Sequence, residues 1–222
     1  MDWVHIIGGG MAGLSLGAKL AEYTKLPGNV VISEPNPLCT INQTFCYWER
    51  KKEPLKQLKT KSFDSWIFSN KTESASHFGE SWKYNLLRGE TFFDNCMDKI
   101  HRNPLIKIVS QKLDRTPKAH HVFDSRPLPT SSFKVCQSIY GVEFFCRKGH
   151  KLDPSAAILM GNMRTEGEDF LFNYLLPLDE QRLILEATAF GTKGVSKKRL
   201  IEIIQLFKKQ YAGDGVITRE EG

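Results

Sequence analysis

The sequence predicts an α/β protein in which a Rossmann-like βαβ unit comes first and an antiparallel sheet follows. Two patterns predict it. Over about the first 35 residues a short apolar run, a glycine cluster, a helical stretch and a second β-rich run succeed one another, as a βαβ unit requires. In the second half, four β-like runs are separated by polar or turn-forming segments.

The elements follow in order. Trp3 to Ile7 is short and apolar, a buried parallel strand. Gly8 to Gly13 break it, and Leu14 to Tyr23 carry Leu14, Leu16, Ala18, Leu20 and Ala21 at helical spacing. Asn29 to Ser33 form the second strand, closed by Glu34-Pro35. Residues 36–83 are polar, with scattered aromatics such as Phe45, Trp48 and Trp66, and are expected to be an irregular insertion with short strands. Phe92 to Ile100 reads as a helix with Phe93, Met97 and Ile100 inward. Ile106 to Val109 and His120 to Phe123 are strand candidates. The sheet runs are Gln137 to Phe145, Ala157 to Arg164, Phe170 to Leu176 and Arg182 to Phe190. Ser196 then caps an amphipathic helix whose face is Leu200, Ile203, Ile204 and Phe207, and Gly213 stops it. The expected domains are 1–135 and 136–222.

Gly8-Gly9-Gly10-Met11-Ala12-Gly13 fits G-x-G-x-x-G. Gly8 allows a tight turn, Gly10 lets backbone approach a pyrophosphate, and Gly13 lets helix pack on strand. The phosphate would rest on the helix N-terminus, where unpaired N–H groups and the dipole favour anions. Glu34, about 20 residues on at the end of the second strand, would accept from ribose hydroxyls. An acid there disfavours a 2′-phosphate, so the site suits FAD or NAD rather than NADP. The triple glycine and Ala-Gly at the N-terminus resemble flavoproteins of the glutathione reductase type, which implies FAD.

The remaining composition excludes several classes. The net charge is +6, yet finger spacings, RNP-type aromatic runs and basic zippers are absent, so no nucleic acid partner is expected. The charge points instead to a phosphate or an anionic membrane surface. Five cysteines, an odd number without a CxxC pair, argue against a disulfide framework or zinc site and for a reducing compartment. No metal spacing occurs among the histidines. With no signal peptide and no apolar run of about 18 residues, the expected location is the cytoplasm, peripheral to the inner face of the membrane.

A series of blocks then appears in order. They are Asn42 to Glu49, His121 to Pro127 with a D-x-R pattern at Asp124 and Arg126, and Gln137 to Glu143. Leu159 to Arg164, Phe172 to Leu178 and Leu183 to Thr188 follow. Together they resemble bacterial lycopene β-cyclases over essentially the whole chain. The resemblance implies a flavoprotein of carotenoid biosynthesis that closes rings at the ends of lycopene or a related carotene. It requires reduced FAD without net redox change, with NADPH as an external reductant. It also implies a chain cut short at Thr218 to Gly222, because full-length members run on past this block. Where the family usually carries an acidic residue after the Leu-Met pair, this chain has Gly161.

Cyclisation needs a strong acid to protonate an alkene and a negative partner for the tertiary carbocation. A carboxyl in apolar surroundings has a raised pKa and fills both roles in turn. Glu186, set in Leu183-Ile184-Leu185-Glu186-Ala187, matches the acidic residue of the family's L-x-E-x-T block; the plain alternative is an outward-facing glutamate. Asp124 and Arg126 would shape the flavin site or form a strand-end ion pair. Trp48, Tyr140, Phe172 and Tyr174 would line a polyene tunnel with their π faces or pack in the core. The helix after Ser196, with Lys197, Lys198, Arg199, Lys208 and Lys209, would cover the sheet or rest on a membrane. The rival functions are an FAD-dependent monooxygenase or prenyl reductase of the same fold, and an inactive fragment.

Overall fold

The computed structural model describes residues 1–37, 43–50, 55, 57–127 and 134–221. Asn42 of the early block and Cys39 lie outside the described residues. The chain forms two compact units, residues 1–43 with 88–129 and residues 44–87 with 130–222.

The first unit is built on a four-stranded parallel sheet. β1 (Asp2–Ile7) pairs with β2 (Val30–Glu34) and with β9 (Ala119–Asp124), and β8 (Ile106–Ser110) pairs with β2, giving the order β8-β2-β1-β9. Val4, Ile6, Ile7, Val30 and Ile32 are buried, as a strand covered on both faces demands. α1 (Met11–Ala21) returns from β1 to β2, and Gly17 lets it approach Ile32 and Ile100. α2 (Gly89–His101) is the helix expected over 92–100, but its inward stripe is Phe92, Cys96 and Ile100. Phe93 and Met97 are only half-buried, so the stripe is shifted by one residue at its first two positions. Phe92 and Phe93 are adjacent and equally apolar, and packing alone decides between them.

The second unit is larger. The segment expected to be irregular instead supplies β3 (Thr44–Arg50), β4 (Lys61–Phe63), β5 (Ser65–Asn70), β6 (Ser74–Phe78) and β7 (Trp82–Arg88). β3, β7 and β4 make a small sheet. β5 and β6 extend a seven-stranded sheet with β10 (Cys136–Phe145), β11 (Ala156–Glu166), β12 (Asp169–Pro177), β13 (Arg182–Gly191) and β14 (Val216–Glu221). The order is β14-β10-β13-β12-β11-β5-β6. All its pairings are antiparallel except β11 with β5.

One face of this sheet is covered by α3 (Lys197–Tyr211). Leu200, Ile203, Ile204 and Phe207 are buried against Val142, Phe144, Leu183, Leu185, Ala187 and Ala189. Ser196 accepts the Arg199 N–H at 3.3 Å, and Gly213 takes φ +56° as the helix ends. Both helix boundaries therefore match the capping signals in the sequence. The opposite face packs on Phe63, Tyr84 and Leu86 through Ala157, Leu159, Leu176 and Ile184.

Gly161 lies where β11 slips register against both neighbours. A Cβ there would stand 2.8 Å from Ile158 Cγ2 and 3.3 Å from the Asn173 carbonyl oxygen. The next residue, Asn162, has φ +51°. The acidic side chain that the family resemblance would place at Gly161 would require the Ile158 side chain to move aside.

Candidate functional sites in the two units

In the first unit, the glycine motif forms the turn from β1 into α1. Gly8 has φ +98°, a conformation open to glycine. A Cβ on Gly13 would fall 2.0 Å from the Gly8 carbonyl oxygen, so only glycine lets the helix sit this close. At Gly10 the same construction meets no atom within 4 Å: the N-cap faces open space. The first turn of α1 carries no acidic residue, and its N–H groups have no intrahelical acceptors. Glu34 lies beside the turn, where its Oε2 accepts the Gly9 N–H at 2.7 Å and its Oε1 the Asn36 N–H at 3.0 Å. A carboxylate oxygen has a second lone pair, so Glu34 keeps capacity for ribose hydroxyls. Turn, open cradle and carboxylate together fit an adenine dinucleotide.

Ser125 ties β9 to this turn, its hydroxyl donating to the carbonyls of Ile7 at 2.8 Å and Gly8 at 3.2 Å. Its neighbours Asp124 and Arg126 pair with each other. Arg126 Nε and a terminal nitrogen meet the two carboxylate oxygens at 2.9 and 2.6 Å. The guanidinium also donates to the Leu113 carbonyl at 2.7 Å. The pair is exposed, and the guanidinium holds the Asp124 carboxyl below its usual range. The ion pair lies at the C-terminal edge of the parallel sheet, where ligands of such sheets bind.

In the second unit, Glu186 lies on the sheet face turned away from α3. Its cross-strand neighbours are Gly141 on β10 and Tyr174 on β12. The Thr188 hydroxyl donates to Glu186 Oε1 at 2.6 Å. Burial raises the carboxyl above its ordinary value; the Thr188 hydrogen bond opposes this, and the Glu221 charge adds to it. Gly141 leaves the space beside the carboxyl open, since a Cβ there would be 3.7 Å from Glu186 Cβ and Cγ. The glutamate is half-buried and does not point outward as the plain alternative required.

Aromatic rings continue from this carboxyl. Tyr174 shares a hydroxyl–hydroxyl hydrogen bond with Tyr84, and their rings meet edge to face at 6.3 Å. Tyr84 lies 4.7 Å from Trp48, which meets Trp66 at 4.3 Å. Burial and the Cys46 thiol push the Tyr84 hydroxyl up, so it stays neutral. Trp48 and Trp66 then enter an open groove of about 1110 Å³ lined by Phe68, His77, Phe78 and Trp82. Phe172 shares the Glu186 face, opposite Thr188, and stacks on Phe190 at 6.1 Å.

Tyr140 does not join this group. It lies one residue before Gly141 and so projects to the α3 face, where its hydroxyl donates to Glu220 at 2.9 Å and Lys197 covers its ring at 4.9 Å. The two-residue period of the pleat makes this unavoidable once Gly141 is opposite Glu186. Tyr84 was missed in the sequence; the alternation Trp82, Tyr84, Leu86 was the available signal. Among the described residues no cluster of His, Cys, Asp and Glu is arranged to hold a metal. No described helix is long and apolar enough to cross a membrane.

The sequence profile of the family described as "Lycopene cyclase protein" matches residues 3–221. The chain belongs to the lycopene cyclase family. A search of curated proteins by sequence finds no significant match. Solved structures share the fold of this lycopene cyclase family member at low identity. The p-nitrophenol 4-monooxygenase PnpA from Pseudomonas putida DLL-E4 is 11% identical with TM-score 0.68, over 100% of this chain and 67% of that one. Xcc4156, a flavin-dependent halogenase from Xanthomonas campestris, is 8% identical with TM-score 0.63, over 99% and 61%. Halogenase PltM, solved with phloroglucinol and FAD, is 12% identical with TM-score 0.58, over 98% and 59%. The chain spans about three-fifths of the length of these halogenases. The chain thus shares its mixed α/β fold with these solved proteins.

Proposed function

We propose that this chain carries the FAD-binding and acid-bearing parts of a lycopene β-cyclase-type enzyme, which closes rings at the ends of a linear carotene without net oxidation. The observation that carries the reading is the Glu186 carboxyl: half-buried, with burial raising its proton affinity, and set beside Tyr174 on the neighbouring strand, in a chain of the lycopene cyclase family.

Gly8, Gly10, Gly13 and Glu34 would hold the FAD pyrophosphate and ribose, with Asp124 and Arg126 at the same sheet edge. Reduced FAD, when bound, supplies negative charge that favours a cationic stage, and NADPH would serve as the outside reductant. Glu186 donates its proton to the terminal carbon–carbon double bond. The new C–H bond leaves a tertiary cation and a carboxylate. The neighbouring double bond closes the six-membered ring, and loss of a ring proton to a base restores neutrality. Tyr174 and Tyr84 offer π faces to the cation while their hydroxyls stay paired. Trp48, Trp66 and Phe172 supply apolar surface for the polyene. The basic face of α3 would let the protein reach a membrane-dissolved substrate.

The test is incubation of the purified chain with lycopene, FAD and NADPH, followed by chromatography of the carotenes and measurement of NADPH and oxygen. Cyclic product without stoichiometric NADPH consumption supports the reading. Oxygen uptake with stoichiometric NADPH oxidation would instead support a monooxygenase, the activity of a protein that shares the fold. A chain that cannot be loaded with FAD would be an inactive fragment.

A further inference from the structure

The inference here rests on Glu186 being the proton donor. Gly141 is opposite Glu186 on one side and Glu221 of β14 on the other, so the three residues form one row across the sheet. Directly paired residues project to the same face. The two glutamates therefore rise together from either side of a residue with no side chain. Their Cα atoms are two strand spacings apart, about 9–10 Å. Glu186 leans into the gap: its Oε2 lies 3.8 Å from where a Gly141 Cβ would be.

Glu221 is held from the other side. The Thr44 N–H donates to its Oε2 at 2.8 Å, and the Thr44 hydroxyl to its Oε1 at 2.5 Å. Arg219 Nε stands 3.3 Å from Oε1, on a residue paired with Glu143. Among the described residues, the charged and titratable groups on this side of the sheet are Glu221 and Arg219 on β14, Glu143 on β10, Tyr174 on β12 and Tyr84 on β7, with Cys46 on β3 beside Tyr84. Thr188 is the hydroxyl donor to Glu186.

We propose that Glu221 is a positioning residue for the acid. Its carboxylate, held by Thr44, faces the Glu186 carboxyl across the gap that Gly141 leaves open and adds to burial in favouring the protonated acid. Two carboxylates that share a site cannot both ionise freely, and the one with fewer compensating donors keeps its proton. Glu186 has the single Thr188 hydroxyl as its donor among the described contacts, whereas Glu221 accepts twice from Thr44 and is ion-paired with Arg219.

The experiment is a carboxyl-carbon NMR titration of the full chain labelled at glutamate, with the Glu186 signal assigned by its loss in Glu186→Gln. In Glu221→Gln the Glu186 midpoint should fall by about one pH unit, a tenfold loss of proton affinity. Glu221→Asp, which retains the charge, should keep it raised, and Thr44→Val should lower it partway. An unchanged or higher midpoint in Glu221→Gln overturns the proposal. Should that variant not fold, Thr44→Val decides: an unchanged or higher Glu186 midpoint there, where Glu221 has lost its Thr44 hydroxyl donor, overturns the proposal equally. The titration is independent of ring formation. Failure of Glu186 as the acid would show separately, as cyclisation that survives Glu186→Gln.

Discussion

The two faces of the seven-stranded sheet come from the same strands and are built for different ends. Toward α3, Val142, Phe144, Leu183, Leu185, Ala187 and Ala189 meet a helix whose apolar stripe matches them, and the interior is closed. On the other face, Gly141, Glu186, Thr188 and Tyr174 interrupt the apolar pattern, and a glycine stands where a side chain would fill the space. The difference teaches that alternation along one strand can encode stability and chemistry together: Leu185 and Glu186 are neighbours in sequence and serve opposite faces.

That contrast can be broken most forcefully at Phe144, which is 0% exposed. Phe144→Ala should cost about 3–5 kcal/mol in urea unfolding. A loss under about 1 kcal/mol would mean that the helix-side face is not the main core. Next, Glu186→Gln should lower cyclisation by about a hundredfold or more while FAD loading, read by absorbance, stays intact. Loss of flavin in that variant would tie the glutamate to the fold rather than to the reaction.

Asn173 sharpens the comparison from within. It lies on the α3 face, 1% exposed, with neither side-chain amide atom hydrogen-bonded among the described residues. Asn173→Leu should therefore stabilise the chain by about 1 kcal/mol or more, measured as a rise in Tm. Ser196→Ala, at the cap of α3, should cost about 1 kcal/mol. The smallest effect is pH-dependent. A carboxyl whose proton affinity is raised on folding favours the native state below its unfolded value, and that contribution is lost as pH rises through the folded one. Glu186→Gln should accordingly flatten the decline of stability with rising pH above about 4.5, the ordinary carboxyl value. An unchanged slope would place the raised proton affinity elsewhere.

The glycine turn, Glu34 and α3 were legible because each is a local pattern in which spacing alone carries the physics. Gly8, Gly13 and Ser196 perform the backbone tasks their positions required. Long-range pairing was not legible. Nothing local says that β5 runs parallel beside β11, or that the polar-looking segment after Asn36 contributes five strands. The same gap separated Tyr140 from Glu186 and hid Tyr84 and Glu221, since only the strand register decides which residues share a face. The Asp124–Arg126 pair is visible in the sequence as two residues of opposite charge two positions apart, and the structure pairs them.

The crowding at Gly161 has a consequence for how relatives are compared. A Cβ at that position meets the Ile158 side chain at 2.8 Å and the Asn173 carbonyl at 3.3 Å, so a relative with a carboxylate there needs a smaller or displaced neighbour where Ile158 stands. The identity of that one residue then reports the packing around β11 before it reports anything about acid–base chemistry.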